Sequence, residues 1–251
     1  MSGHSKWATI KRKKGKLDAE RGKTFTKAIK EITIAARDGG GDPEGNPRLR
    51  TAILLAKGVN MPAENIKRAI QKGTGELPGV HYEEHTYEGY GPGGVALFIE
   101  VLTDNKNRTT AEIRHLLGKH GGRMGEGGCV AHMFDRKGFL TVEKGKVEED
   151  RLFEIALDSG ADDVSSEEPD VFEVYTPPAD FYAVQKALET ARIPIASAEL
   201  SRIPQITTAV GTQREAEQIL RIMELLEDHD DVQKVWSNFD IPAEMLEKLS
   251  G

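Results

Sequence analysis

The sequence predicts an α+β protein of three domains: an N-terminal three-helix bundle and two ferredoxin-like α+β domains, one inserted in the other. Three observations lead there. Up to Gly75 the apolar residues recur at spacings of three and four, the period of amphipathic helices. After Gly75 short apolar strands alternate with helical stretches, the grammar of α+β domains. Aromatic residues make up only 6% of 251 residues, so several small cores are expected rather than one large one.

Leu17–Arg37 reads as a helix with Phe25, Ala28, Ile29, Ile32 and Ala36 on one face, stopped by the run Gly39 to Pro43. Asn46 as N-cap and Pro47 at the first helical position open a second helix, with Leu49, Ile53 and Ala56 inward and Gly58 at its end. The third runs from Pro62 to Gly73 on Ile66, Ala69 and Ile70. These stripes are thin, so the bundle is weakly stable alone.

Val95–Thr103 is a nearly continuous apolar strand. Thr109 and Glu112 match a capping box for a helix facing inward through Ile113, Leu116 and Leu117. Cys129–Phe134 and Gly138–Val142 read as strands, Val147–Ser159 as a helix, Val171–Tyr175 as a strand, Ala179–Arg192 as a helix and Ile193–Leu200 as a strand. Gln205–Val210 is a strand, Thr212 and Glu215 cap a helix carrying Ile219, Ile222, Met223 and Leu226, and Val232–Phe239 is the last strand. The boundaries expected are 1–77 for the basic leader and bundle, 78–135 plus 205–251 for a discontinuous domain, and 136–204 for the inserted one. A linear order of three domains is the alternative.

Charge points to function. Residues 1–75 carry 17 Lys and Arg against 7 Asp and Glu, whereas residues 76–251 carry 17 against 34. A net charge of −7 thus conceals a basic N-terminal third on an acidic body. Lys6, Lys11, Arg12, Lys13, Lys14, Lys16, Arg21, Lys23 and Lys27 are candidate phosphate contacts, and Trp7 is placed to stack on a base. Lys67, Arg68 and Lys72 join them on the third helix, whose short link from the second resembles helix-turn-helix spacing; an ordinary helical hairpin fits that spacing equally. A solvated tail that aids solubility is the alternative for the leader.

Two glycine-rich stretches stand out. Gly89 to Gly94 lacks the Gly-Lys-Ser/Thr ending of a phosphate loop and reads as a tight turn. Gly121 to Gly128 reads as a mobile partner-contact loop with Arg123 and Met124 at its tip and Glu126 beside them, or as a long connector. Glu167 to Asp170 reads as a solvated acidic loop.

No catalytic residue, metal or cofactor is expected. His81, His85, His115, His120, Cys129 and His132 lack CxxC or HExxH spacing, and Glu83, Glu84, Asp104 and Glu126 sit in no recognisable reaction framework. An enzyme using Asp104, Glu126 and a metal is the minor alternative, and a protein scaffold with an incidental leader another. The single Cys129 excludes an intramolecular disulfide. No run approaches the ~20 apolar residues of a membrane helix, and no secretory signal opens the chain. A cytoplasmic protein is expected, with no membrane contact.

Gly3-His-Ser-Lys-Trp7, Ile10-Lys-Arg-Lys-Lys14, Phe25-Thr-Lys27, Glu31-Ile32, Asn60-Met-Pro62, Asn65-Ile66 and Ala69-Ile-Gln-Lys-Gly-Thr-Gly75 closely resemble the YebC/PmpR family. Tyr87-Glu-Gly-Tyr-Gly-Pro-Gly-Gly94 and Leu102-Thr-Asp-Asn-Lys-Asn-Arg-Thr109 continue the resemblance, which runs nearly end to end. It implies three domains and a DNA-binding transcriptional regulator of the bacterial cytoplasm. It also implies a second possibility: a ribosome-associated translational activator that binds ribosomal RNA and eases elongation at proline-rich stretches. Two departures, Cys129 where the family commonly has Ser and His132 where it has an aromatic residue, lie just after the glycine-rich loop.

Overall fold

The computed structural model describes residues 20–242 together with Glu244, Met245 and Leu249. The chain forms two compact units. One is His132–Thr207; the other runs up to Ala131 and resumes at Thr208.

The discontinuous unit begins with three helices, α1 (Glu20–Gly39), α2 (Pro47–Gly58) and α3 (Ala63–Gly73). Buried Asn46 organises their first turn. Its Oδ1 accepts from Leu49 N at 3.0 Å, capping α2, while its Nδ2 donates to the carbonyls of Ala35 and Gly40 at 2.7 and 2.9 Å. Ile32, Ala35, Ala36, Leu49, Ala52, Ala56, Met61, Ile66 and Ala69 form the small core between them.

The same unit contains an antiparallel sheet in the order β3-β1-β2-β9. Its strands are β1 (Glu83–Tyr90), β2 (Ala96–Thr103), β3 (Arg123–Met124) and β9 (Val232–Ser237). Helices α4 (Lys106–Lys119) and α7 (Gln213–Glu227) belong to this unit, and a short parallel pair joins β8 (Thr208–Ala209) to β10 (Phe239–Asp240). β2 is buried along almost its whole length, as its apolar run requires. No strand is expected over β1 from the sequence, because its polar string EEHTYEGY shows no apolar alternation.

The second unit carries β4 (Phe134–Glu143), α5 (Glu149–Asp158), β5 (Asp163–Ser165), β6 (Val171–Thr176), α6 (Phe181–Thr190) and β7 (Ile195–Pro204). Its antiparallel sheet has the order β5-β6-β4-β7, which with two helices is the ferredoxin-like βαββαβ arrangement. Leu140, Val142, Leu152, Ala156, Phe172, Val174, Phe181, Val184 and Leu188 fill its core. Gly138 is required there, because a Cβ would collide with Thr176 Oγ1 and the Phe181 ring.

The sheet of the first unit repeats this spatial order with a substitution. β2, α4, β3, α7 and β9 occupy the positions of a ferredoxin-like unit. The strand expected between β3 and α7 is replaced by β1, from earlier in the chain. The inserted unit stands in the sequence at that same point.

Several elements differ from expectation. Asn105, not Thr109, caps α4: its Oδ1 accepts from Arg108 N at 3.0 Å, and Thr109 lies buried inside the helix. The box at Thr212 and Glu215 is present with both bonds made. Residues 129–133 are a turn and a single 3-10 turn rather than a strand, and β4 begins only at Phe134. The strand expected over Gln205–Val210 shrinks to Thr208–Ala209, and the last strand breaks at Asn238, whose Oδ1 accepts from Ala96 N at 2.7 Å. Glu168 is buried, not solvated.

Candidate nucleic-acid interface

α1 places Lys23, Lys27 and Lys30 along one stripe, at spacings of four and three. All three ammonium groups meet the end of α7 and the turn beyond it. Lys23 Nζ lies 3.3 Å from Asp228, and Lys27 Nζ donates to the Glu227 carbonyl at 2.5 Å. Lys30 Nζ donates to the Asp230 carbonyl at 2.9 Å and to Asp231 Oδ1 at 2.6 Å.

Asp231 is the hub. Its Oδ2 accepts from Arg108 Nη2 and Thr109 Oγ1, each at 2.7 Å, and lies 3.2 Å from Thr103 Oγ1. Burial pushes the Asp231 carboxyl up, but hydrogen bonds from Lys30, Arg108 and Thr109 outweigh it and hold it well below the usual carboxylate range. Bonds to Asp231 and Asp104 in turn raise the Arg108 guanidinium above its ordinary value. Burial, then Asp104 and Asp231, pushes the Tyr82 phenol up; its ring lies 5.5 Å from Lys30 Nζ. Lys30, Tyr82, Asp104, Arg108 and Asp231 line an open cleft of about 670 Å³ with Glu112, Asp228, His229 and Asp230.

Glu112, His229 and Asp231 bring three possible metal donors within 4.8 Å of one another. Their hydrogen bonds assign a different role. His229 Nδ1 accepts from Asp231 N at 3.1 Å, so the neutral ring carries its proton on Nε2, which faces Glu112 Oε2 at 3.0 Å. Asp231 Oδ2 is already surrounded by proton donors. In this arrangement His229 and Asp231 Oδ2 are engaged in hydrogen bonds, and the three groups form part of an ion-pair junction.

The other predicted contacts are dispersed. Lys67, Arg68 and Lys72 are all exposed on α3, with Arg68 pairing with Glu64 at 3.3 Å. Lys72 also lines a cleft of about 180 Å³ with Arg37 and His81. On α2, exposed Arg50 and Lys57 flank Leu54 and Leu55, which are 61% and 63% exposed. Lys6, Trp7, Lys11, Arg12, Lys13, Lys14 and Lys16 lie outside the described residues, and Arg21 is helical with its side chain outside them.

The glycine-rich segment is tied to β1. Arg123 and Met124 form β3, paired with Tyr90 and Gly89, instead of a loop tip. The Arg123 guanidinium covers the Tyr90 ring at 5.2 Å, while Met124 Sδ lies 3.9 Å from Arg114 Nη2. Buried Glu88 holds residues 125–131 in place. Its carboxylate accepts from Gly128 N and Val130 N at 2.6 Å and from Ala131 N at 2.8 Å, and its carbonyl accepts from Gly125 N at 2.8 Å. Tyr90 Oη donates to the Cys129 carbonyl at 3.0 Å. Glu126, Gly127 and Gly128 remain at the exposed edge.

Sequence reasoning missed Lys30, Asp231 and Glu88. Lys30 and Asp231 are 201 positions apart, and nothing in either local string marks them as partners. Glu88 had a weak signal: a carboxylate in the strand preceding a stretch dense in backbone N–H groups.

A helical bundle and two ferredoxin-like sheets, with ionic chemistry throughout, define a modular α+β protein. The model of the TACO1/YebC protein N-terminal domain matches residues 5–76, and that of the TACO1/YebC second and third domain matches residues 82–239. The chain belongs to the TACO1/YebC family. It is 56% identical over 251 residues to a probable transcriptional regulatory protein of Sulfurihydrogenibium sp. strain YO3AOP1, covering 100% of both chains. A protein of the same description from Desulfatibacillum aliphaticivorans is 58% identical over 246 residues, covering 98% of this chain and 99% of the other. The solved structure of the conserved hypothetical protein Aq1575 from Aquifex aeolicus has a TM-score of 0.81 at 48% identity, covering 90% of this chain and 93% of that one. Among the described residues, no helix is long and apolar enough to cross a membrane.

Proposed function

We propose that the protein is a non-enzymatic, DNA-binding regulator of transcription that works in the cytoplasm. The observation that carries this reading is the charge split, a basic N-terminal third on an acidic body. The names of the relatives, probable transcriptional regulatory proteins, support it. Lys6, Lys11, Arg12, Lys13, Lys14, Lys16 and Arg21 neutralise phosphates, Trp7 stacks, and Lys67, Arg68 and Lys72 add a second contact line. Residues 1–77 do the binding. Residues 78–135 with 205–251, and residues 136–204, supply shape and protein contacts, among them the edge at Arg123, Met124 and Glu126.

The test is quantitative. Reversing Lys11, Arg12, Lys13 and Lys14 to Glu removes up to four phosphate contacts. The slope of log K against log salt then flattens by about 0.7–0.9 for each contact. An unchanged slope refutes the assignment. Ultraviolet crosslinking in cells, followed by sequencing of attached DNA and RNA, identifies the target. Discrete promoter sites support the DNA reading; dominant reads in ribosomal RNA replace it with the translational one.

A further inference from the structure

The three lysines of α1 end on the same five residues, 227–231, yet they are not held alike. Lys30 and Asp231 have side chains only 7% and 5% exposed, and Asp231 is tied further to Arg108 and Thr109. Lys23 and Asp228 are 43% and 52% exposed and share one contact. Lys27 meets a main-chain carbonyl at the C-terminal end of α7, where the helix dipole is negative. Around them stand the carboxylates of Asp104, Glu112, Asp228 and Asp230.

We propose that the acidic turn 227–231 is an intramolecular competitor for nucleic acid. It acts as a latch that occupies Lys23 and Lys27 until a phosphate backbone displaces it. The proposal rests on the nucleic-acid reading above and adds a regulatory contact to it. Lys30 and Asp231 form the fixed pin, because parting a buried pair strands a charge. Lys23 is the exchangeable part, since an exposed pair contributes little and a phosphate replaces the carboxylate with the same chemistry. Opening the latch works against binding, and by reciprocity bound nucleic acid holds the latch open. A protein contact that neutralises the acidic turn raises nucleic-acid affinity in the same way.

The test uses the full-length chain and fluorescence anisotropy with a labelled duplex DNA and a single-stranded RNA of matched length, over a salt series. Asp228→Asn frees Lys23 for one more phosphate. Binding tightens about five-fold at 0.1 M salt, and the log–log slope steepens, because salt no longer helps to open a Lys23–Asp228 pair. Glu217→Gln removes the same charge from an exposed position on α7, about three turns before Asp228, and leaves the slope unchanged. Adding Lys23→Ala to Asp228→Asn abolishes the gain. If Asp228→Asn behaves like Glu217→Gln, the latch is refuted while the nucleic-acid reading stands. If the unmodified chain binds neither probe, the nucleic-acid reading fails and the latch with it.

Discussion

Replacing Asp231 with Asn is the most searching perturbation of this structure. The substitution keeps the shape but leaves the Lys30 ammonium buried among neutral oxygens: the carbonyls of Asp230, at 2.9 Å, and Leu102, at 3.4 Å, and a single amide oxygen for which Arg108 and Thr109 compete. Arg108 keeps Asp104, at 2.9 Å, so its loss is partial. Breaking a buried ion pair by removing one partner costs about 3–5 kcal/mol. For a unit of this size that corresponds to a melting temperature lower by about 6–20 °C. The assay is thermal and denaturant unfolding followed through Trp236, 2% exposed on β9, in a Trp7→Phe background. A double replacement, Lys30→Met with Asp231→Leu, removes both charges and recovers most of the loss, because paired apolar groups need no desolvation. If Asp231→Asn costs less than about 1 kcal/mol, or the double variant is no better than the single one, the pin between α1 and the α7–β9 turn has been misread.

The remaining expectations concern pH, the glycine-rich edge and the bundle. The folded-state pKa of Asp231 is depressed, so its ionised form contributes stability above the unfolded value of about 3.9, and that contribution is lost as pH falls through the folded value. The stability gap between the unmodified chain and Asp231→Asn therefore holds from neutral pH to about pH 5 and narrows below it; a gap that widens in acid contradicts the assignment. Glu88→Gln leaves one carbonyl oxygen, able to accept from two of the three N–H groups, and turns an amide N–H against the third, at an unmet cost of about 1–3 kcal/mol. Hydrogen exchange at Gly128, Val130 and Ala131 accelerates by about 30-fold or more, and unchanged protection rules out the clamp. Gly73→Ala drives a Cβ against the Thr33 carbonyl and Ala36, backbone and a fixed neighbour that cannot yield, and costs about 1–3 kcal/mol. Gly58→Ala meets nothing within 4 Å and serves as the calorimetric control, neutral or slightly stabilising.

Legibility in the sequence tracks the range of each interaction. Asn46, Pro47 and the Thr212 box are local devices, and each does in the structure what its spacing implies. The Thr109 box fails because Asn105, four residues earlier, has an equally good cap, and tertiary burial of the Thr109 hydroxyl decides between them. β1 is hidden because half of its side chains face away from the core and its apolar partner is supplied by β2. The flexibility expected of Gly121 to Gly128 is an inference from composition alone. A single carboxylate on another strand, Glu88, supplies the order that the glycines do not. At the interface, Lys23 and Lys27 are visible as cations in the sequence, but their engagement with residues 227–231 depends on a contact about 200 positions away.

The borrowed strand has a consequence for synthesis. β2 is complete after residue 103, but its neighbour β9 begins only at Val232. At about 5–20 residues per second, translation leaves that apolar edge uncovered for on the order of ten seconds. The contiguous unit His132–Thr207 has all its strands within that interval and can close first. The nascent chain is thus an unfinished sheet followed by a folded bead, and it stays vulnerable until its last strand emerges. Truncations that remove the last strand are expected to aggregate through β2, even where, ending just after Thr207, they keep the bead intact.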